Sequence, residues 1–225
     1  MTEDLRNQPI RTYKLRRGRV SDAQQTALDK LGDSYFVAGD GIINLAHDLN
    51  CPYFLIEIGF GMGEATVALA KTQPDVAVLA MDLHTPGIGK LIKELGEDNL
   101  THVKLLEADA LEILRGRIAD SSVDAIRLFF PDPWPKSRHH KRRFIVPQNL
   151  DLVADKLKVG GALHIATDWV EYAENAMENL TVSPRWTIVD ATPLCDPKLR
   201  PRTKFEQKGL DAGRTITDIV AVRVH

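Results

Sequence analysis

YFLIEIGFGMGE, residues 53–64, is an apolar run that breaks into three alternating glycines. A short, continuous apolar run bounded by glycine suits a strand buried on both faces, as in a parallel sheet. Gly59, Gly61 and Gly63 allow positive φ and a close approach of backbone to a ligand. A dinucleotide fingerprint requires G-x-G-x-x-G. Counted from Gly59 the sixth position is Glu64, and counted from Gly61 it is Thr66. A carboxylate at the mouth of the next helix also repels a pyrophosphate, because that end of a helix favours anions. The turn therefore fits a nucleoside ligand that has cationic groups and no phosphate. S-adenosylmethionine, with its sulfonium, ammonium and ribose, is such a ligand, and Gly59 and Gly61 are assigned to it. A glycine-rich turn also serves tight packing alone, so the rest of the chain must decide.

Outward from this stretch the pattern is regular. Helical spacing over 63–72 is followed by a strand at 76–83, a helix at 87–96 and a strand at 102–109. A helix at 110–118, a strand at 123–130, an amphipathic helix at 148–158, a strand at 162–168 and a helix at 169–180 come next. Upstream, Ser21 is an N-cap for the helix beginning SDAQQTALDKL. Two closing strands are expected at 185–190 and 216–224, joined by a polar loop with Pro193, Pro197 and Pro201 and no helix. One of them then enters the sheet antiparallel. Alternating strands and helices imply an α/β fold, a mostly parallel seven-stranded sheet with helices on both faces. Residues 21–225 read as one domain, preceded by a basic, mobile arm over 1–20.

Composition narrows the class. No apolar run approaches the roughly 18 residues that a membrane helix needs. The first residues are polar and basic, without the apolar core of a secretory signal. Cys51 and Cys195 stand far apart without metal-ligand spacing, so neither a disulfide framework nor a zinc site is expected and a reducing cytoplasm fits. Net charge is −2, yet half of the 29 Lys and Arg residues fall in three short windows. These are Arg11, Lys14, Arg16, Arg17 and Arg19; Lys136, Arg138, Lys141, Arg142 and Arg143; and Lys198, Arg200, Arg202, Lys204 and Lys208. A segregated basic footprint suggests one face made for a polyanion.

Ligands in doubly wound sheets bind outside the carboxyl ends of the strands. Five consecutive strands each deliver an acid there: Glu57, Asp82, Asp109, Asp132 and Asp168. Asp82 can accept ribose hydroxyls and Asp109 an adenine amino group. Each could instead cap a helix, Asp109 above all.

EIGFGMG at 57–63, FFPDPWPKSRHHKRR at 129–143, ATDW at 166–169 and TKFEQKG at 203–209 resemble the bacterial tRNA guanine-N7 methyltransferases. The likeness runs in the same order through roughly residues 10–224. It implies a Rossmann-like class I methyltransferase fold, with the last strand antiparallel, and methylation of guanine 46 in the tRNA variable loop. It implies that Glu57, Asp82, Asp109 and Asp132 contact S-adenosylmethionine and that Asp132 is catalytic. Lys136, Asp168, Thr203, Lys204, Phe205 and Glu206 would contact the substrate. Arg138, His139, His140, Lys141, Arg142 and Arg143 would form the RNA-contacting block. No metal is implied, and the state is a monomer or homodimer. The sequence departs from the family pattern at Asp82, where glutamate is familiar, and at Pro135, where histidine is common.

The chemistry suits these residues. Guanine N7 carries an in-plane lone pair and no proton, so its attack on a methyl sulfonium needs no general base. Catalysis then rests on placement and on charge control. Asp132 can accept from the guanine N1–H and N2 amino edge, and its charge favours the cationic product. Pro131, Pro133 and Pro135 stiffen the turn that carries it. Trp134 either stacks on a flipped base or packs under the loop. A methyltransferase for a small molecule or protein leaves the basic windows unexplained. A non-catalytic RNA-binding subunit would tolerate a broken cradle, and a nicotinamide dehydrogenase is opposed by Glu64.

Overall fold

In a computed structural model, residues 11–14 and 18–225 are described. Residues 1–10 and 15–17 of the expected arm, Arg16 and Arg17 among them, lie outside the described residues.

Chain order is α1 (Asp22–Tyr35), α2 (Leu45–Asp48), β1 (Tyr53–Ile58), α3 (Glu64–Thr72), β2 (Val76–Asp82), α4 (Thr85–Glu97), β3 (Val103–Glu107), α5 (Ala110–Arg117) and β4 (Val123–Phe129). Then come α6 (Pro147–Lys156), β5 (Leu157–Thr167), α7 (Val170–Val182), β6 (Trp186–Val189), α8 (Lys204–Asp211) and β7 (Thr217–Arg223). The seven strands form one sheet in the order β3-β2-β1-β4-β5-β7-β6. The strands β1 to β5 pair in parallel, and β7 runs antiparallel to both β5 and β6.

The strand runs are apolar because both faces are covered. Phe54, Ile56 and Ile58 of β1 pack with α5, α6 and α7, whereas Leu55 packs with α1, α3 and α4. Burial of each such side chain stabilises by about 1.5–3 kcal/mol. Glu57 lies on the Leu55 face, so its carboxylate is carried into the interior by the same alternation that buries its neighbours. At the first helix the Ser21 side chain and Gln24 form a reciprocal capping box, which fixes where α1 starts.

The structure differs from the sequence expectation in several places, the short helix α2 among them. A helix, α8, interrupts the loop between the closing strands. Its eight residues carry only Phe205 and Leu210 as large apolar groups, so no periodic stripe announces it. The strand β5 begins at Leu157, because the chain leaves α6 early and passes through Gly160 at φ 84° before the apolar run. Its pairing with β4 shifts register between Val123 and Ala125. The block Ser137–Arg142 forms a 3₁₀ turn. Among the described residues no helix is long and apolar enough to cross a membrane.

Candidate functional site

One cleft opens at the carboxyl edge of β1, β2, β3 and β4. Its floor is the turn after β1. Gly59, Gly61 and Gly63 have φ of 75°, 61° and 82°, the left-handed region in which glycine is unstrained. The amide of Gly59 donates to the Met81 carbonyl at 2.7 Å, which ties the turn to β2. Gly87 in the first turn of α4 packs against the turn so closely that an added Cβ would lie 1.8 Å from the Gly61 carbonyl oxygen.

Asp82, at the end of β2, organises this floor. Its Oδ2 accepts from the Gly61 amide at 2.7 Å, and its Oδ1 accepts from the Leu83 and His84 amides at 2.7 and 2.9 Å. A carboxylate has about four lone-pair sites, so these bonds leave acceptor capacity for hydroxyls. Asp109 caps α5 by accepting from the Leu111 amide at 2.9 Å and also lines the cleft. Capping and lining coincide there. Tyr13 stands at the same end, where partial burial, followed by the charge of Asp109, pushes its phenol pKa up.

Glu57 lines the cleft, is only 2% exposed, and its Oε2 has no hydrogen-bond partner. Burial pushes its carboxyl pKa up, against the pull of the Arg127 cation on the adjacent strand. A buried, unpartnered carboxylate oxygen is costly and calls for a donor. An ammonium group in the cleft meets that need, so the donor set fits S-adenosylmethionine. Glu64 stands at the first turn of α3 as expected, with Lys90 Nζ 3.5 Å from its Oε1.

The turn after β4 is built differently. Phe130 and Trp134 bracket Pro131, Asp132 and Pro133 with φ of 51° and 45°. Left-handed backbone at a residue other than glycine costs on the order of 1–3 kcal/mol and needs support from its surroundings. The support comes from far along the chain. The Phe130 amide donates to the Ala166 carbonyl at 2.7 Å, and the Lys14 amide donates to Asp132 Oδ2 at 2.7 Å. Trp134 Nε1 donates to the Thr12 carbonyl at 3.1 Å. Thr12 and Lys14 of the arm thus lie on the turn, and Thr12, Tyr13 and Lys14 line the cleft with Asp132.

Trp134 is buried, with Lys14 Nζ and the Arg142 guanidinium 4.9 and 5.0 Å from its ring. Of the two roles open to it, packing under the loop is the one it takes in this structure. Lys136, Arg138, Lys141 and Arg142 are exposed along the 3₁₀ turn, with His139 beside them. Desolvation and then the neighbouring cations lower the His139 pKa.

Arg143 requires a correction. Expected in the RNA-contacting block, it is 1% exposed, with its guanidinium committed to Glu171 at 3.0 and 2.6 Å and to the Pro133 carbonyl at 3.0 Å. No phosphate reaches it there. His140 is half-buried against it, with Nε2 3.0 Å from Arg143.

Thr203 and Phe205 line the same cleft from the start of α8. Thr203 caps that helix by accepting from the Glu206 amide at 3.2 Å, and Lys204 is exposed. Glu206 pairs with Arg200 at 2.6 Å, and Arg200 grips Asp218 at 2.9 and 3.0 Å. Asp218 in turn meets His164 Nε2 at 2.8 Å. Asp168 pairs with Arg214 at 2.9 Å and packs against Gly209 of α8, where a Cβ would lie 2.9 Å from its Oδ2.

Sequence reasoning missed Arg200, Arg214, Asp218 and His164. A signal existed for two of them. His164 and Asp218 interrupt otherwise apolar strands, and a buried polar group in a strand needs a partner. Arg200 was hidden among the surface cations of its window. Among the described residues no group of three or more His, Cys, Asp or Glu is arranged to hold a metal ion.

Comparison with known proteins follows the same lines. A family profile described as "Putative methyltransferase" matches residues 52–219. A protein of Nitrosospira multiformis named tRNA (guanine-N(7)-)-methyltransferase is 41% identical, over 98% of this chain and 97% of its own. One of the same name from Methylobacillus flagellatus is 41% identical over 97% of this chain and 93% of its own. Among solved structures, TrmN from Thermus thermophilus superposes with a TM-score of 0.55 at 16% identity, covering 80% of this chain and 47% of that one, a likeness of fold.

Proposed function

The chain belongs to the family of tRNA (guanine-N(7)-)-methyltransferases, and we propose that it methylates N7 of guanine 46 in the tRNA variable loop. The observation that carries this reading is the meeting of three things at one cleft. These are the buried Glu57 carboxylate with its Oε2 unpartnered, the Asp132 turn and, in the 3₁₀ turn that follows it, a run of exposed cations.

When bound, S-adenosylmethionine supplies a methyl group on a positively charged sulfur. Glu57 accepts from its ammonium, Asp82 from its ribose hydroxyls and Asp109 from its adenine edge. Gly59 and Gly61 let the backbone come close to it. Asp132 accepts from the N1–H and N2 amino edge of guanine and holds the base so that N7 faces the transferable group. It removes no proton, since N7 has none, and its charge stabilises the cationic product. Good placement of this kind supplies on the order of 7–11 kcal/mol of a barrier. Thr203 and Phe205 close the cleft over the base and help to exclude water. Glu206 and Asp168 act from within their pairs with Arg200 and Arg214, which hold the segment in place. Lys136, Arg138, Lys141, Arg142 and Lys204 bind tRNA phosphates and set affinity in a salt-dependent way. Residues 21–225 act as one methyltransferase domain.

The test is incubation with labelled S-adenosylmethionine and unmodified tRNA, followed by nucleoside analysis and mapping. Label in 7-methylguanosine at position 46 is the expected result. Label in another nucleoside or at another position overturns the reading.

A further inference from the structure

Arg142 and Arg143 are adjacent in the sequence and opposite in setting. Arg142 is exposed above the Trp134 ring, whereas Arg143 is buried. The guanidinium of Arg143 has five N–H donors in a rigid fork and no acceptor. Its Nε donates to the Pro133 carbonyl at 3.0 Å, and Nη1 and Nη2 donate to the two oxygens of Glu171 at 3.0 and 2.6 Å. Nη2 also lies 3.0 Å from His140 Nε2. Because arginine only donates, a hydrogen bond there has that nitrogen as its acceptor. The Tyr172 ring lies 5.5 Å beneath the cation, and the Tyr172 hydroxyl accepts from the Ile145 amide.

The pattern joins three elements at one point. Pro133 directly follows Asp132, His140 is in the 3₁₀ turn, and Glu171 and Tyr172 are in the first turn of α7. The carbonyl that Arg143 holds is therefore one residue past the carboxylate, inside the segment bracketed by the left-handed Phe130 and Trp134. The Glu171 carboxyl responds, its pKa lowered first by the hydrogen bond from Arg143.

We infer that Arg143 is a positioning residue for Asp132, clamping the turn to α7 through Pro133 and Glu171, and not a tRNA contact. This rests on the role of Asp132 proposed above. A phosphate ligand needs only charge, which lysine also supplies. A clamp needs the fork, which lysine cannot reproduce, because one ammonium cannot reach the Pro133 carbonyl and both Glu171 oxygens in the same geometry.

The experiment compares steady-state kinetics and tRNA binding across salt for Arg143→Lys, Glu171→Gln and the double variant, with thermal unfolding as a check on folding. For Arg143→Lys, kcat should fall by roughly 10–100-fold, the scale of a misplaced reacting group. The tRNA Kd and its salt slope should match the parent protein. Glu171→Gln should lower kcat in the same way by a smaller factor, and the double variant should fall no further than the worse single one. A kcat that stays at the parental value for Arg143→Lys, with or without a rise in the tRNA Kd, overturns the inference. So does a fall in melting temperature with unchanged kcat per folded molecule. Should Arg143→Lys not fold, Glu171→Gln, altered on a half-exposed side chain, carries the same test. Asp132→Asn is measured alongside. Full activity there defeats the role of Asp132, whereas an impaired Asp132→Asn beside fully active Arg143 and Glu171 variants defeats only the clamp.

Discussion

The turns after the neighbouring strands β1 and β4 both line the cleft, and both use left-handed backbone. The first assigns it to Gly59, Gly61 and Gly63, where it is nearly free. The second assigns it to Phe130 and Trp134, where it is not. The first turn is consequently shaped by its own residues and by one close neighbour, Gly87. The second is shaped by Thr12, Lys14 and Ala166, all distant in sequence, and by Arg143, ten residues past Pro133. A cofactor that is the same in every turnover suits a locally determined cradle. A base that arrives on a large RNA suits a turn whose geometry is set by several elements at once.

The comparison can be broken most strongly at Asp132. Asp132→Asn keeps the size of the side chain and removes the charge. A fall in kcat of about 10²–10³-fold is expected, the scale of losing one preorganised electrostatic group. The tRNA Kd should stay within about threefold, as read by filter binding. On the other side, Gly87→Ala drives a methyl group into the Gly61 carbonyl. The affinity for S-adenosylmethionine should fall by about 100-fold, the upper range for overpacking. Gly41→Ala, which meets nothing within 4 Å, is the control in the same titration and should leave it unchanged.

A third test separates the turns by salt. Neutralising Arg138, Lys141 and Arg142 together should weaken tRNA binding by roughly 10-fold at moderate salt and flatten the salt slope by up to about two to three. Cofactor affinity should not move. A steep slope that survives would put the RNA on another face.

The smallest effect concerns Glu57. Its pKa is raised in the folded chain, mainly by burial, so its proton is held more tightly in the folded state than in the unfolded one. Stability from this group is full at pH below the unfolded value and is lost as pH rises through the folded value. The ionised form is the one that attracts a cation. Affinity for S-adenosylmethionine should therefore rise with pH across that window, by up to about tenfold per unit, with release of a proton. Calorimetry in buffers of different ionisation enthalpy measures both, and Glu57→Gln should remove both.

Much of this was legible in the sequence because the relevant signals are local. Each buried strand is an apolar run, the acids stand at or just past the ends of such runs, and the glycines announce their turn. The parts that were not legible depend on where the chain returns. Nothing near Lys14 says that its amide will meet Asp132. Arg143 looks like Arg142 until α7 brings Glu171 to it, since a buried cation and a solvated one are the same letter. The helix α8 carries few apolar residues, so its periodicity is silent although its Thr203 cap is present. Arg200 could be suspected only after His164 and Asp218 had been placed side by side on β5 and β7.

The reversed direction of β7 has a consequence for added length. In a parallel sheet, a segment entering a strand arrives at the edge away from the ligand, as residues 118–122 do before β4. Because β7 runs the other way, the segment entering it arrives at the ligand edge and brings Thr203 and Phe205 with it. Extra residues near Ser121 would project from the far side of the molecule. Extra residues between β6 and α8 would displace the wall of the cleft, so this connection has the length tolerance of a site and not that of a loop.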